Sequence, residues 1–304
     1  MIENDNISIN KIVKNNEIIS CPNCKTTILQ LEKGRYHCKK CNNTYPLMKG
    51  IPLITEQKHI DSLRKDKPNW YITSQKTVRE IYKHQHALMK KMLQDSINSA
   101  VKSLDKENIV LLDIGCGDGR SLKDIKDMKL PIKLYGCDYN YIRLVRAKKL
   151  VPSATLFLND VNNDSIAKSS CDIILLNHVI EHVKDDVGLL KKIYSYLKPG
   201  GVLILGTPQE GTFLCKLRNY VLEPYIIFRT DHVQFYTDKK LLEKIKKTKF
   251  QVESFEYYNY HFPHSILDRY IRKSKRIHDF MEKNGHKYMK RAGAGGLWMM
   301  LRKK

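Results

Sequence analysis

The chain has 304 residues, 42% of them apolar and 28% charged, with 54 Lys and Arg against 32 Asp and Glu, for a net charge of +22. It is long enough for one main domain and a smaller one, and no apolar run approaches the ~18 residues that would suggest a membrane span. The opening MIENDNISIN has neither a basic start nor an apolar stretch, so no secretory leader is expected.

The charge is uneven. Residues 105–210 hold 15 basic against 14 acidic residues, whereas 261–304 hold 12 against 3. A near-neutral centre with basic flanks favours an acidic partner at the periphery: nucleic acid, an anionic membrane surface or a phosphate-bearing substrate. The competing reading is a lysine-rich solvated surface with no partner. Of the eight cysteines, four form two C-x-x-C pairs and the rest are scattered. That pattern suits a reducing cytoplasm and one metal site better than a disulfide framework.

Taken in order, the first unit is residues 1–57. Cys21 and Cys24 are followed, after thirteen residues, by Cys38 and Cys41. Two thiolate pairs on tight turns separated by a hairpin can close a tetrahedral Zn²⁺ site, and so small a segment needs such a staple to fold. His37 precedes the second pair, but four thiolates already complete the site. With no position left open, the zinc is expected to be structural. The following TYPLMKGIPLI, Thr44 to Ile54, resembles the end of the zinc-ribbon domain related to small tRNA-methyltransferase activator subunits.

Residues 58–104 read as a linker containing Pro68, Trp70 and Tyr71, then an amphipathic helix or helix pair over 75–104. Its apolar steps of three and four run from Val78 to Leu104 and suit packing on a sheet, with a role as a lid also open. His84 and His86, two residues apart, cannot share a helix face, so they are not expected to bind metal together.

From residue 105 strand and helix alternate. Strands are expected at 109–113, 133–138, 155–158, 172–177, 201–206 and 250–258, and helices at 121–128, 139–150, 187–197, 213–220 and 237–247. This alternation predicts an α/β fold with a mainly parallel sheet covered by helices on both faces. The tail 295–304 reads as a last strand that, with 250–258, forms the antiparallel end of a seven-stranded sheet. A basic helical insertion occupies about 261–292.

The first strand runs into IGCGDGR. Gly115, Gly117 and Gly119, with Cys116 and Asp118 between them, make a tight turn that would bring a ligand near bare backbone N–H groups. Asp118 is a candidate helix cap. The spacing differs from the dinucleotide fingerprint G-x-G-x-x-G, and Asp113 ahead of the turn would repel a diphosphate while suiting an amino acid's ammonium. Asp138, at the tip of the second strand and 19 residues after Gly119, can accept ribose hydroxyls, with Tyr139 beside the base; the alternative is a cap for the next helix. Asn159, Asp160 and Val161 end the third strand, where Asp160 can meet an adenine amino group or serve only in a turn. Asn177, expected against the same ligand as Asn159, Asp160 and Val161, lies with His178, Glu181 and His182 at the exit of the fourth.

D-x-G-x-G-x-G resembles the first motif of class I S-adenosylmethionine-dependent methyltransferases. NHVIEHVKD and LKPGGVLILGTP resemble later motifs of the small-molecule and quinone-biosynthesis branch. The resemblance implies a Rossmann-like seven-stranded sheet, S-adenosylmethionine as cofactor and an acceptor pocket at the fourth strand's exit. His182, with Glu181 orienting it or closing the pocket, is the first candidate for proton acceptor, followed by His178 and His232. The expected activity is methyl transfer to a small-molecule, lipid-linked or sugar-like acceptor, free or on a carrier, by a cytoplasmic enzyme able to associate with a membrane surface. RNA methylation, with the ribbon and basic flanks gripping phosphates, is the alternative. A non-catalytic zinc-ribbon adaptor is a further one.

Overall fold

The computed structural model describes residues 17–27, 29–56, 60, 83–225, 230–260, 264–271, 273–289 and 295–304. The linker residues Pro68, Trp70 and Tyr71, the helical start at 75–82 and the ends of the basic insertion (261–263 and 290–294) lie outside the described residues.

Near the N-terminus, β1 (Leu29–Glu32), β2 (Arg35–Cys38), β3 (Thr44–Met48) and β4 (Ile51–Pro52) form a four-stranded antiparallel meander. The two C-x-x-C turns repeat one geometry. Lys25 N donates to Cys21 O and Asn42 N to Cys38 O, both at 2.8 Å. Both donors sit in the left-handed region, at φ 61° and 60°. Each turn thus aims its pair of thiols at the other.

The larger sheet contains β5 (Ile109–Ile114), β6 (Ile132–Asp138), β7 (Thr155–Leu158), β8 (Cys171–Asn177), β9 (Leu197–Pro208), β10 (Phe250–Tyr258) and β11 (Gly296–Lys303), in the order β10-β11-β9-β8-β5-β6-β7. All neighbours are parallel except β11, which runs antiparallel to both β9 and β10. The antiparallel end was legible in the two apolar runs flanking the basic insertion. β9 begins earlier than expected, at Leu197. The Gly200–Gly201 pair therefore lies within the strand, at a register irregularity between the Cys171–Leu197 and Ile173–Val202 pairings, with Gly200 at φ 75°.

Around the sheet lie α1 (Lys83–Leu104), α2 (Arg120–Lys126), α3 (Tyr141–Leu150), α4 (Asp186–Tyr196), the short α5 (Phe213–Leu217), α6 (Asp238–Lys246), α7 (Ser265–Ile271) and α8 (Lys275–Met289). Alternate residues of β5 feed two cores, as strand geometry requires. Ile109 and Leu111 pack with α1, α2 and α3, while Val110, Leu112 and Ile114 pack with α4 and α6. α1 is a packing element: Met92, Leu93, Ile97 and Ala100 are buried, and Ser96 Oγ accepts from Trp298 Nε1 at 2.9 Å.

The small sheet is fastened to the large one. Leu53 bridges Leu158 in parallel, Ile54 N donates to Leu158 O at 3.0 Å, and Ile19 bridges Ile166. The end of TYPLMKGIPLI thereby covers part of the β7 edge, which would otherwise present unpaired backbone. At the opposite pole of the strands, Asp172 is fully buried and accepts from Lys198 Nζ (2.7 Å), Lys106 Nζ (3.0 Å) and Val110 N (3.0 Å). Burial alone would raise its carboxyl, but these donors hold it below the usual carboxylate range.

Strand order reverses at β5: the chain passes outward through β6 and β7, then returns to β8 on the other side. The crevice at the carboxyl ends of β5 and β8 is the topological switch point where open α/β sheets bind ligands.

Candidate functional site

The four ribbon cysteines meet. All four Sγ atoms lie within 4.8 Å of one another, with Cys24–Cys38 at 3.4 Å and Cys21–Cys41 at 3.6 Å. None is in a disulfide. Zn–S bonds of ~2.3 Å around a tetrahedron put sulfurs about 3.8 Å apart, so the set fits Zn²⁺. Tyr45 Oη, 3.1 Å from Cys21 Sγ, and the Asn23 side chain beside Cys41 furnish donors to the sulfurs. His37 is not part of the cluster.

At the glycine turn, Gly115, Gly117 and Gly119 take φ of 74°, 53° and 80°. Its amides are not bare. Gly115 N and Cys116 N both donate to Cys137 O (2.8 and 3.0 Å), Gly117 N to Asp138 Oδ2 (2.8 Å) and Gly119 N to Cys116 O (2.9 Å). A turn this deep in the sheet must satisfy its own donors, so the glycines serve the site by the space they leave. A Cβ on Gly115 would stand 2.3 Å from Val179 Cγ2, and one on Gly117 would stand 2.1 Å from Arg143 Nη2. Asp118 does not cap α2: Gly119 is the N-cap residue, without a side-chain bond, and the Asp118 carboxylate faces Arg146 (3.6 Å) and Arg143 (4.0 Å). Cys116 is buried beside Gly136 in the core.

A cavity of about 360 Å³ opens at the switch point. Gly115, Asp138, Tyr139, Asp160 and Val161 line one part of it, and His178, Val179, His182 and Asp231 another. Asp138 is almost wholly buried; its oxygens accept from Gly117 N and Asn140 N, both at 2.8 Å. The cap of α3 is Asn140, whose side chain accepts from Arg143 N, so the capping reading of Asp138 falls. Asp113 lies outside the lining, buried, with Oδ2 unpartnered. Burial, then the charge of Asp138, push its carboxyl up to about 8 against the pull of Arg143.

Of three further expected cofactor contacts, two hold local partners and the third lies off the cavity. Asn159 reaches the lining, but its Oδ1 accepts from Ser165 Oγ and its N donates to Asp138 O. Asp160 closes a local turn, accepting from Asn162 N and Nδ2 at 2.8 Å. Asn177 sits off the cavity with Oδ1 buried against Gly206.

The histidines and Glu181 do gather at one end. His178, at φ 55°, has Nδ1 3.2 Å from Glu181 Oε1 and Nε2 3.4 Å from Tyr258 Oη. Glu181 is fully buried, and its Oε2 accepts from Thr207 Oγ1 at 3.1 Å. Burial works to raise its carboxyl, yet the imidazoles of His178 and His182 bring it below the ordinary value. His182 Nδ1 lies 3.1 Å from Asp231 Oδ1, so Asp231, not Glu181, orients that ring. His232 meets His182 edge to face, with ring centroids 4.8 Å apart, and its Nδ1 contacts Glu210 Oε2 at 2.6 Å. Burial opposes a charge on His232, but Glu210 raises its pKa overall. Arg143 and Glu210 were missed by sequence reading, and Asp231 was noted only as the neighbour of His232. Arg143 carried a signal, a guanidinium in the first turn of the helix that follows an acidic strand tip.

A family model described as a methyltransferase domain matches residues 82–254. The malonyl-[acyl-carrier protein] O-methyltransferase 2 of Coxiella burnetii is 29% identical over 147 residues, 48% of this chain and 59% of that protein. The trans-aconitate 2-methyltransferase of Variovorax paradoxus is 29% identical over 100 residues, 33% of this chain and 39% of that protein. The chain spans about half the length of the curated relatives it matches. A solved structure of a SAM dependent methyltransferase from Archaeoglobus fulgidus has a TM-score of 0.50 at 18% identity, over 75% of this chain and 98% of its own, and shares the fold. The match takes in more than half of the chain, from α1 through the glycine turn and the cavity lining into β10, and this protein belongs to the methyltransferase-domain family.

Proposed function

We propose that the protein transfers a methyl group from S-adenosylmethionine to a small-molecule or carrier-linked acceptor. The observation that carries this reading is the single cavity at the switch point, shared by Asp138 and Gly115 on one side and by His178, His182 and Asp231 on the other. S-adenosylmethionine supplies an electrophilic methyl sulfonium when bound. The residues present fit it: Asp113 has a buried carboxylate oxygen without a partner, suited to balancing a cationic ligand, and a Cβ on Gly115 would displace the cavity wall at Val179.

In this reading Asp138 accepts the ribose hydroxyls. Each of its oxygens takes one backbone N–H and keeps a further acceptor position. Tyr139 lies beside the base, and Asp160 and Val161 bound its edge. The fold's main contribution is to hold the nucleophile in line. His182, its Nδ1 turned toward Asp231, keeps Nε2 to accept the acceptor's proton. The names of the two relatives, a malonyl group on acyl carrier protein and trans-aconitate, support an acidic or carrier-linked acceptor. Residues 1–57 form an accessory unit whose four cysteines hold a structural zinc, and 105–304 form the catalytic domain.

The basic C-terminal region suits an anionic membrane surface better than RNA. Ile266, Leu267, Tyr270, Ile277 and Phe280 are exposed in α7 and α8, alongside Lys273, Lys275, Arg276 and Lys283. Apolar side chains beside lysines are how peripheral helices enter a headgroup layer. No helix among the described residues is long and apolar enough to cross a membrane.

The test is to incubate the protein with methyl-labelled S-adenosylmethionine and fractionated cell extract. Label in acid-soluble metabolites, lipid or carrier protein supports the reading, and label in RNA overturns the acceptor class. Calorimetry should show S-adenosylmethionine binding that Asp138→Ala abolishes; unchanged affinity would remove the ribose role.

A further inference from the structure

Glu181 and His182 sit in the short turn after β8, and His232 lies in the loop before α6. Val233 N and Gln234 N both donate to Glu181 O at 2.9 Å, which fastens that loop to the turn. The three side chains are therefore brought together by main-chain bonds. One ligand atom from each lies within 4.8 Å of the other two. Donors around a first-row dication, at bond lengths of ~2.0–2.2 Å, stand about 3–4 Å apart, so closure onto an ion needs only modest side-chain shifts.

The surroundings match what metal-binding histidines require. Each ring has a carboxylate at Nδ1: Asp231 at 3.1 Å for His182 and Glu210 at 2.6 Å for His232. Such partners fix the ring and leave Nε2 for an ion. Glu210 is itself approached by Arg218 at 3.9 Å. Three carboxylates, Glu181, Glu210 and Asp231, thus meet three imidazoles, His178 on Glu181 Oε1 being the third, with one guanidinium nearby. His182 and Asp231 also line the cavity, so an ion held there would be open to a ligand in it.

We propose that Glu181, His182 and His232 bind a divalent transition-metal ion, separate from the cysteine cluster. Two imidazoles and a carboxylate suit Zn²⁺, Fe²⁺ and their neighbours better than Mg²⁺ or Ca²⁺, and Co²⁺ and Mn²⁺ serve as spectroscopic stand-ins. On the methyl-transfer reading above, the ion would hold an acceptor oxygen and acidify its hydroxyl. His182 would then serve as a ligand instead of a base, and the proton released from the hydroxyl would pass to water at the exposed Asp231 side of the site.

The test uses the full chain with zinc already in the cysteine cluster. Mn²⁺ is titrated and the free ion followed by electron paramagnetic resonance; Co²⁺ absorption is recorded in parallel. The expected result is one further equivalent of Mn²⁺, and Co²⁺ bands lacking thiolate charge transfer. His232→Asn should weaken that equivalent by more than tenfold, and Glu210→Gln by about tenfold or more through the lost backing of the ring. Thermal melts confirm that both variants are folded. Absence of a saturable second equivalent in the wild type, or an equivalent indifferent to both substitutions, would overturn the proposal and leave a hydrogen-bonded histidine–carboxylate network. The readout is ion binding, so it stands apart from the S-adenosylmethionine calorimetry that tests the methyl-transfer reading.

Discussion

Gly115→Ala is the most informative single substitution. Gly115 sits at φ 74°, and an added Cβ would stand 2.3 Å from Val179 Cγ2. Ordinary carbon contacts lie near ~3.5–4.0 Å, so the valine must retreat by roughly 1–2 Å, and it lines the cavity. Gly200 is a built-in control: its φ is 75°, and an added Cβ would meet nothing within 4 Å. The left-handed conformation costs a non-glycine residue about 1–2 kcal/mol at either position. Overpacking at Gly115 adds about 1–3 kcal/mol. Urea unfolding should therefore rank Gly115→Ala below Gly200→Ala by that second amount. Calorimetry should show S-adenosylmethionine affinity reduced at least tenfold in the first variant and unchanged in the second. Adding Val179→Ala to Gly115→Ala should recover part of both losses, the coupling expected of residues in contact. Equal stabilities for the two alanine variants, together with intact cofactor binding by Gly115→Ala, would refute the idea that this glycine preserves space at the cavity wall.

Asp113, raised to about 8, is an acid kept neutral by the fold. It erodes stability as pH climbs from its ordinary value near 4 toward 8, and a cationic ligand that favours its carboxylate must release its proton. Cofactor affinity should rise from pH 6 to 8, by at most about tenfold per unit, and Asp113→Asn should remove most of that slope; calorimetry in buffers of different ionisation heat detects the proton. Asp172 behaves oppositely: its lowered carboxyl contributes stability present above about pH 4 and lost as pH falls below it. Asp172→Asn should cost about 1–3 kcal/mol in urea unfolding at pH 7, a figure discounted for its half-exposed lysine partners. A strong chelator should release one zinc per chain and make four thiols newly reactive, while the buried Cys116, Cys137, Cys171 and Cys215 stay protected until the core unfolds. Four reactive thiols before chelation would count against the zinc site.

Much of the architecture was legible in the chain because it depends on local patterns. The period of apolar residues marked β5 through β8, the apolar runs around the basic insertion marked the antiparallel edge, and two C-x-x-C turns marked a four-sulfur cluster. The glycine spacing with Asp113 and Asp138 pointed to a turn and a strand tip that the fold does bring together, joined by the Gly117 N to Asp138 bond. Partners across long separations were not legible. Asp118 looked like a cap, yet Gly119 takes that position and Asp118 faces Arg143 and Arg146. Adjacency suggested that Glu181 orients His182, but the one-turn geometry hands Glu181 to His178 and leaves His182 to Asp231, 49 residues onward. Asn159 stands in the cavity lining with its side chain held by Ser165, whereas Asn177 is set off the lining against Gly206. Sequence determined which strands and turns form, since those follow from neighbours in the chain. Only the tertiary structure decided which carboxylate meets which imidazole, because a hydrogen bond a few ångströms long is set by how separate segments pack.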